Sequence, residues 1–427
     1  MKHAGHASIR AAPAAPFQPR DKSAIYLLKR WGKYITHDPF FTDNMRDWLF
    51  GDSPTPIRMF ARNQDPPFKS KWDLLFVSHD LSLSGAPLYL LHLAEWCWQN
   101  EFFVTIIAPG DGPLRQKITS AKIPLIIDPL VATGHESFGR VIRGFDLVLA
   151  NSVRTPTAIP PARRENVPVA WYIHETDVGE HYLKHDVRVR VAVPLANLIF
   201  AASERSLSVF RPYAVCPMRK LVSGCPDGRA QVTAERRDDN RVHFLMLGTV
   251  ERRKGQDVLL EAIRRMDPKL AREALFEVVG GGLDQGFINA FRESARSLSN
   301  LRWREGVEHD ESLQLLANAD ILVCASRDES LPLTLLEAMS LGKTIISTTV
   351  GGIPEYLTDG VDALLIPPED AAALAAALER VVRNRAEARK LGTNARAGYE
   401  ARHTQERFGR DFATLIMPLV SSAIPGD

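Results

Sequence analysis

From residue 72 onward the chain alternates between two rhythms. Short, almost continuously apolar runs give way to longer stretches in which apolar residues recur at helical spacing, as expected of parallel strands joined by crossover helices. In the first half the runs are WDLLFVS (72–78), FFVTIIAP (102–109), PLIIDP (124–129), FDLVLANS (145–152), VPVAWYI (167–173) and NLIFAAS (197–203). Runs with no polar face predict strands covered on both sides. The rhythm stops over 223–240, SGCPDGRAQVTAERRDDN, which is polar and aperiodic and contains Gly and Pro. A second series follows: VHFLMLG (242–248), LFEVVGG (275–281), LRWREGV (301–307), DILVCAS (320–326), TIISTT (344–349) and DALLIPP (362–368).

This pattern predicts an α/β protein with two Rossmann-like, doubly wound domains facing each other across a cleft. The expected divisions are a partly disordered extension over 1–70, a first domain over 71–223, a linker over 224–240 and a second domain over 241–400. A C-terminal helix over 401–427 would be free to pack back on the first domain. Open α/β sheets bind ligands beyond the carboxyl ends of their strands, so a site is expected in the cleft.

A length of 427 residues exceeds one ordinary core and agrees with two domains. With 53 basic and 51 acidic residues the net charge is +2, too balanced to attract nucleic acid through a whole-protein field. Cys97, Cys216, Cys225 and Cys324 are scattered and form no CxxC pair, which points to a reducing, cytoplasmic compartment without a zinc site. No apolar run reaches the length needed to cross a bilayer, and the first residues lack the apolar core of a signal peptide. Residues 22–35, KSAIYLLKRWGKYI, carry an aromatic and aliphatic stripe between basic residues. A helix here would either pack on the protein's own body, the reading its Tyr and Trp favour, or lie on an anionic membrane as a peripheral contact at the inner face.

The most informative stretch is 320–370. A strand ends at Ser326, a loop carries Glu329, and Ser330 with Pro332 predicts a helix start. The free N–H groups there, around Leu331 to Thr334 and including Leu333, would form an anion site. Glu337 follows inside the helix. Eight residues of helix span about 12 Å, comparable with the distance from a hexose to a ribose across a diphosphate. One carboxylate could hold sugar hydroxyls, the helix start the phosphates, and the other carboxylate the ribose diol. Spacing alone is weak, since a chain this acidic should contain about one E-x7-E by chance. The apolar neighbours in LLEAM add the specificity, because a carboxylate buried among them needs a partner.

These residues resemble the retaining nucleotide-sugar glycosyltransferases of family four, which have the GT-B fold. That family carries a Glu-x7-Glu motif followed by a GG-x-x-E-x-x-x-x-G loop, here Gly351-Gly352-Ile353-Pro354-Glu355 through Gly360. The resemblance extends with gaps over roughly 72–400, and is strongest in the second domain. It implies a hexosyltransferase-type enzyme that moves a sugar from a nucleoside diphosphate donor to a glycan or lipid-linked acceptor, in polysaccharide or glycolipid biosynthesis. Glu329 would meet the transferred sugar and Glu337 the ribose. The donor would lie on the second domain and the acceptor would enter over the first.

In GTVERRKGQDVLLEAI, from Gly248, basic residues occupy the turn after the first strand of the second domain, where they can neutralise a leaving diphosphate. Lys254 resembles the family's phosphate lysine. Many relatives have an arginine where Thr249 stands, and Arg252 or Arg253 would replace it. In SHDLSLSGAPLYLLHLAEW, Gly85 stands where backbone can approach a ligand, and resembles the family's glycine loop although Ser84 takes the place of its usual partner glycine. His174 in WYIHETD ends a strand and matches the family's active-site histidine, which implies a contact with the donor sugar. Glu175 beside it would orient the loop. Gly280–Gly282 does not fit a dinucleotide fingerprint and reads as a loop near donor phosphates.

The absence of Asp-x-Asp, of a Walker loop and of H-E-x-x-H leads to the expectation of no metal and no cofactor, the nucleotide sugar being a co-substrate. Two alternatives remain: an epimerase or phosphorylase on the same fold, or a non-catalytic nucleotide-sugar-binding subunit.

Overall fold

The computed structural model describes residues 58–60, 72–235, 239–282 and 284–421. Apart from Arg58–Phe60, the expected extension, including 22–35, lies outside the described residues. The first sheet contains β1 (Arg58–Phe60), β2 (Trp72–Val77), β3 (Phe102–Ala108), β4 (Leu125–Ile127), β5 (Leu147–Asn151), β6 (Val169–Ile173), β7 (Leu198–Ala201) and β8 (Met218–Lys220). Their order is β1-β4-β3-β2-β5-β6-β7-β8, with β1 antiparallel on the edge and every other pairing parallel. The second sheet contains β9 (Val242–Leu247), β10 (Ala274–Val279), β11 (Leu301–Arg304), β12 (Ile321–Cys324), β13 (Thr344–Thr348) and β14 (Leu364–Ile366). It runs β11-β10-β9-β12-β13-β14 and is wholly parallel.

The apolar runs form strands because both of their faces are covered. In β2, Leu74 and Phe76 enter one core cluster while Leu75 and Val77 enter another on the opposite face. The first cluster also takes in Tyr89, Leu333, Leu336 and Tyr399, so apolar packing is continuous between the domains. A third cluster, with Phe244 stacked on Phe276 at 4.8 Å, fills the remaining face of the second sheet.

The interval 224–240 departs from a plain linker. Asp227 caps a short helix, Gly228–Gln231, by accepting from Arg229 N. That helix packs on the second domain, with Gly228 N donating to Ser340 Oγ at 3.1 Å and Arg396 pairing with Asp227 at 2.6 Å. The crossing itself is narrow. Cys225 N donates to His403 O and Gln405 N to Cys225 O, both at 3.0 Å, so the outgoing and returning strands of chain are bonded side by side.

After that return, the helix Gln405–Ser421 lies on the first domain. Phe408, Phe412, Ile416 and Val420, one turn apart, are its buried stripe. Phe412 meets Phe76 edge-on at 5.9 Å, and Trp96 Nε1 donates to Glu406 at 2.7 Å. Among the described residues no helix is long and apolar enough to cross a membrane.

Candidate functional site

Each sheet reverses its winding once, between β2 and β5 in the first domain and between β9 and β12 in the second. Loops leaving such a switch point splay apart and open a crevice. The two crevices face one another and form a cavity of about 640 Å³. His79, Ser84, Gly85, Tyr89, Arg154 and His174 line it from the first domain, and Gly248, Arg253, Lys254, Glu329, Thr334 and Glu337 from the second.

The turn after β9 is held in place by glycines. Gly255 has φ +78°, and a Cβ there would stand 2.0 Å from Ala325 O, so the turn presses against the end of β12. Arg327 N donates to Arg253 O at 2.7 Å, which ties this turn to the loop carrying Glu329. Lys254 Nζ is bonded to Glu329 Oε1, Ser326 Oγ donates to the same oxygen at 2.9 Å, and Arg253 stands 3.4 Å from it. Burial pushes the Glu329 carboxyl up, but Lys254 and Arg253 outweigh it and hold the group below the usual carboxylate range. The glycine loop fixes Glu329 from behind. Gly351 has φ +55°, a Cβ on it would overlap Glu329 O, and Gly352 N donates to that oxygen at 3.2 Å.

Arg252 and Arg253 separate clearly. Arg252 is exposed and outside the cavity wall, whereas Arg253 reaches the Asp328 carbonyl at 3.0 Å as well as Glu329. The cause is the short 3-10 turn Arg252–Lys254, whose successive side chains leave in different directions. The helix start also differs from the expectation. Helix Leu333–Leu341 has Pro332, not Ser330, as its N-cap residue, and the Ser330 hydroxyl bonds instead to Ser206 Oγ of the first domain at 2.9 Å. Leu333 and Thr334 bring first-turn N–H groups to the cavity, where a helix has no acceptor of its own for them.

The Leu333 helix is buried nearly all round, so Glu337 is only 5 % exposed. Its carboxylate accepts from His309 Nε2 at 2.7 Å. Sequence reasoning missed His309. The available signal was its place just past β11, where the strand ends open onto the cleft.

Across the cavity, His174 Nε2 lies 2.7 Å from Asn151 Oδ1, and Asn151 Nδ2 donates to Ala86 O at 3.0 Å. The amide is thereby oriented, and its oxygen must receive the His174 Nε2–H, leaving Nδ1 with a lone pair. Burial, aided by His79, lowers the His174 pKa to about 3, so the ring is neutral. It stacks on Tyr89 at 5.8 Å, and the Tyr89 hydroxyl crosses the cleft to Leu331 O at 3.1 Å. Glu175 accepts from Val153 N and His174 N, both at 2.9 Å, and anchors the loop. Gly85 begins the helix Gly85–Gln99. Gly280 and Gly281 line the cavity, whereas Gly282 does not. Among the described residues no group of three or more His, Cys, Asp or Glu is placed to hold a metal ion.

The sequence matches the family model described as glycosyl transferases group 1 over 229–398 and that described as glycosyl-transferase family 4 over 69–207. It is 30% identical over 177 residues to D-inositol 3-phosphate glycosyltransferase of Streptomyces bingchenggensis (strain BCW-1), covering 40% of this chain and only 38% of that relative. It is 26% identical to glycogen synthase of Mycobacterium tuberculosis (strain ATCC 25618 / H37Rv) over 71% of this chain and 72% of the other. In fold it is similar to Anabaena HepE, solved in complex with UDP and glucose, with a TM-score of 0.71, 20% identity and coverage of 81% of this chain and 99% of that one. It is also similar to sucrose-phosphate synthase from Thermosynechococcus elongatus, with a TM-score of 0.67, 20% identity and coverage of 82% and 100%. With one model on each side of the cleft and the two doubly wound domains that these enzymes share, the chain belongs to the group 1 glycosyltransferases and has the GT-B fold.

Proposed function

We propose that this protein transfers a sugar from a nucleoside diphosphate donor to an acceptor hydroxyl, with retention of anomeric configuration. The reading is carried chiefly by the convergence of Lys254 and Arg253 on Glu329 in a cavity that has His174 on its other wall. The UDP and glucose named with the HepE structure fit a donor of this class.

In this reading the diphosphate lies against Lys254, Arg253 and the first turn of the Leu333 helix. Negative charge grows on the leaving phosphate as the glycosidic bond breaks, and donors already in place stabilise it without reorganisation. Glu329 receives hydroxyls of the transferred sugar and Glu337 the ribose diol. Neutral His174 accepts a hydrogen bond from a sugar hydroxyl at Nδ1 and so orients the reacting carbon. The acceptor enters over the first domain, and the leaving phosphate takes its proton on the face where the new bond forms. Glycan or lipid-linked acceptors suit this open side of the cleft.

A panel of nucleotide sugars, each incubated with candidate acceptors, tests the reading. Release of nucleoside diphosphate matched by a glycosylated product of retained configuration supports it. Inversion at the anomeric carbon would remove the retaining assignment, and donor binding with no transfer to any acceptor would favour a binding subunit.

A further inference from the structure

The ring of His309 lies between two carboxylates, one hydrogen-bonded to it and one facing it at longer range. Its Nε2 is 2.7 Å from Glu337 Oε1, and its Nδ1 is 3.7 Å from Asp310 Oδ1. An ionised carboxylate only accepts, so Nε2 must carry hydrogen to bond Glu337. A neutral ring with hydrogen on Nε2 turns a lone pair toward Asp310, and with hydrogen on Nδ1 it turns one toward Glu337. The imidazolium alone satisfies both. Asp310 is the next residue on the helix His309–Asn318 and is held by Lys117 of the first domain at 2.5 Å.

We propose that His309 is a positioning residue for the donor nucleoside: as an imidazolium between Glu337 and Asp310 it donates to one Glu337 oxygen and leaves the other for the ribose diol. This rests on the donor-site reading above and adds a proton-dependent control to it. The charged groups around the ring are Glu337 and Asp310, which favour its proton, and Lys117, which opposes it. Buried His92, on the helix Gly85–Gln99, is itself kept neutral, first by burial and then by His309. Burial of His309 works against the charge, but Glu337 prevails and raises its pKa above the ordinary histidine value. Above that pKa the ring is neutral: with hydrogen on Nε2 it keeps the Glu337 bond but turns a lone pair toward the Asp310 charge, and with hydrogen on Nδ1 it loses the Glu337 bond, so Glu337 is held less firmly for ribose.

The test is calorimetric titration of the full chain with uridine diphosphate, guanosine diphosphate and their 2′-deoxy counterparts at about pH 6 and about pH 9. The ratio of deoxy to ribo Kd cancels the ionisation of the phosphates. Wild type should prefer the ribonucleotide by about tenfold at the lower pH, the worth of one hydrogen bond to a charged group, and lose much of that preference at the higher. His309→Gln keeps a donor that does not titrate, so its preference should not change with pH. His309→Ala should lose the preference at both. If both variants discriminate as wild type does while Glu337→Gln does not, the role of His309 is refuted and Glu337 keeps its ribose assignment. If Glu337→Gln discriminates normally, or if wild type binds no nucleotide, the donor-site reading falls and this inference with it. Should the alanine variant fail to fold, His309→Gln alone decides by the presence or absence of a pH response.

Discussion

Lys254 Nζ is bonded to the Glu329 carboxylate, joining the turn after β9 to the loop after β12. Glu329 is buried, so removal of the lysine leaves its charge with Arg253 at 3.4 Å and Ser326. Lys254→Ala should therefore lower kcat about a hundredfold or more, as removal of a preorganised charge-stabilising donor does. Glu329→Ala should act mainly on kcat, whereas Glu337→Ala should weaken nucleoside diphosphate binding. Steady-state kinetics and calorimetry separate these effects. Equal nucleotide affinity in wild type and Glu337→Ala would remove the ribose assignment.

Gly85 and Gly280 line the same cavity for different reasons. A Cβ on Gly85 would meet only Leu333 Cβ, at 3.9 Å, while one on Gly280 would lie 1.9 Å from Gly248 O. The protein has room for a methyl at the first position and none at the second. Gly85→Ala should fold with a Tm close to wild type and lose donor affinity, because the added methyl projects into space reserved for ligand. Gly280→Ala should lower the Tm itself. Thermal melts with nucleotide titrations check both, and unchanged affinity in Gly85→Ala would mean that donor does not approach this backbone.

Glu355, from the glycine loop of the second domain, reaches the first domain. It accepts from Glu204 N at 2.8 Å and Arg205 N at 3.3 Å, where the helix Glu204–Phe210 begins, and it pairs with Lys220. With the Ser206–Ser330 hydrogen bond at 2.9 Å, this contact ties the two domains together beside the cleft. Glu355→Ala should lower kcat/KM by about tenfold, equivalent to one charged hydrogen bond, and should increase the radius of gyration in small-angle scattering. Unaltered scattering and turnover would show that closure does not depend on Glu355.

The strands long enough to be buried on both faces could be read directly, since their apolar runs have no polar alternation to disguise them. β1 and β8 could not. RMF and MRK are three-residue edge strands whose partly exposed sides carry no apolar pattern. The helix Gly228–Gln231 was hidden in a polar stretch because its stability comes from Asp227, Ser340 and Arg396 rather than from an apolar stripe. Lys254, Glu329 and Glu337 lie in local motifs, so sequence alone could nominate them. His309 has its partner 28 residues away on another helix, and no local spacing reports that contact. The choice between Arg252 and Arg253 depended on the direction of a single turn.

The cations on the cavity wall bear on metal dependence. In the proposed donor site, Lys254 and Arg253 would supply the positive charge that a divalent ion contributes in other sites. Turnover should therefore survive dialysis against EDTA, with kcat and KM unchanged. Loss of activity restored by magnesium or manganese would show that these side chains are not sufficient.

Two histidines outside the cavity lining should govern acid stability. His403 is fully buried at the crossing between domains, with Nδ1 donating to Ser223 O at 3.0 Å and Nε2 unpartnered. Burial lowers its pKa to about 4, and lowers that of His92, also buried with Nδ1 unpartnered, to about 3. In the unfolded chain both rings take up protons near the ordinary value of about 6.5, so below that pH the unfolded state binds more protons than the folded one. Stability should then fall as the pH drops from about 6.5 toward 4, by up to about 1.4 kcal/mol per pH unit for each ring, and should not vary through these groups above pH 7. His309 has the opposite sign, because its raised pKa adds stability below about 6.5 that is lost as the pH rises through the folded value. Denaturant unfolding of wild type and His403→Asn across this range provides the check. The asparagine retains a donor toward Ser223 but cannot titrate, so the variant should show a shallower acid slope. An identical slope would mean that the crossing takes up protons without resisting them, contrary to the burial of His403.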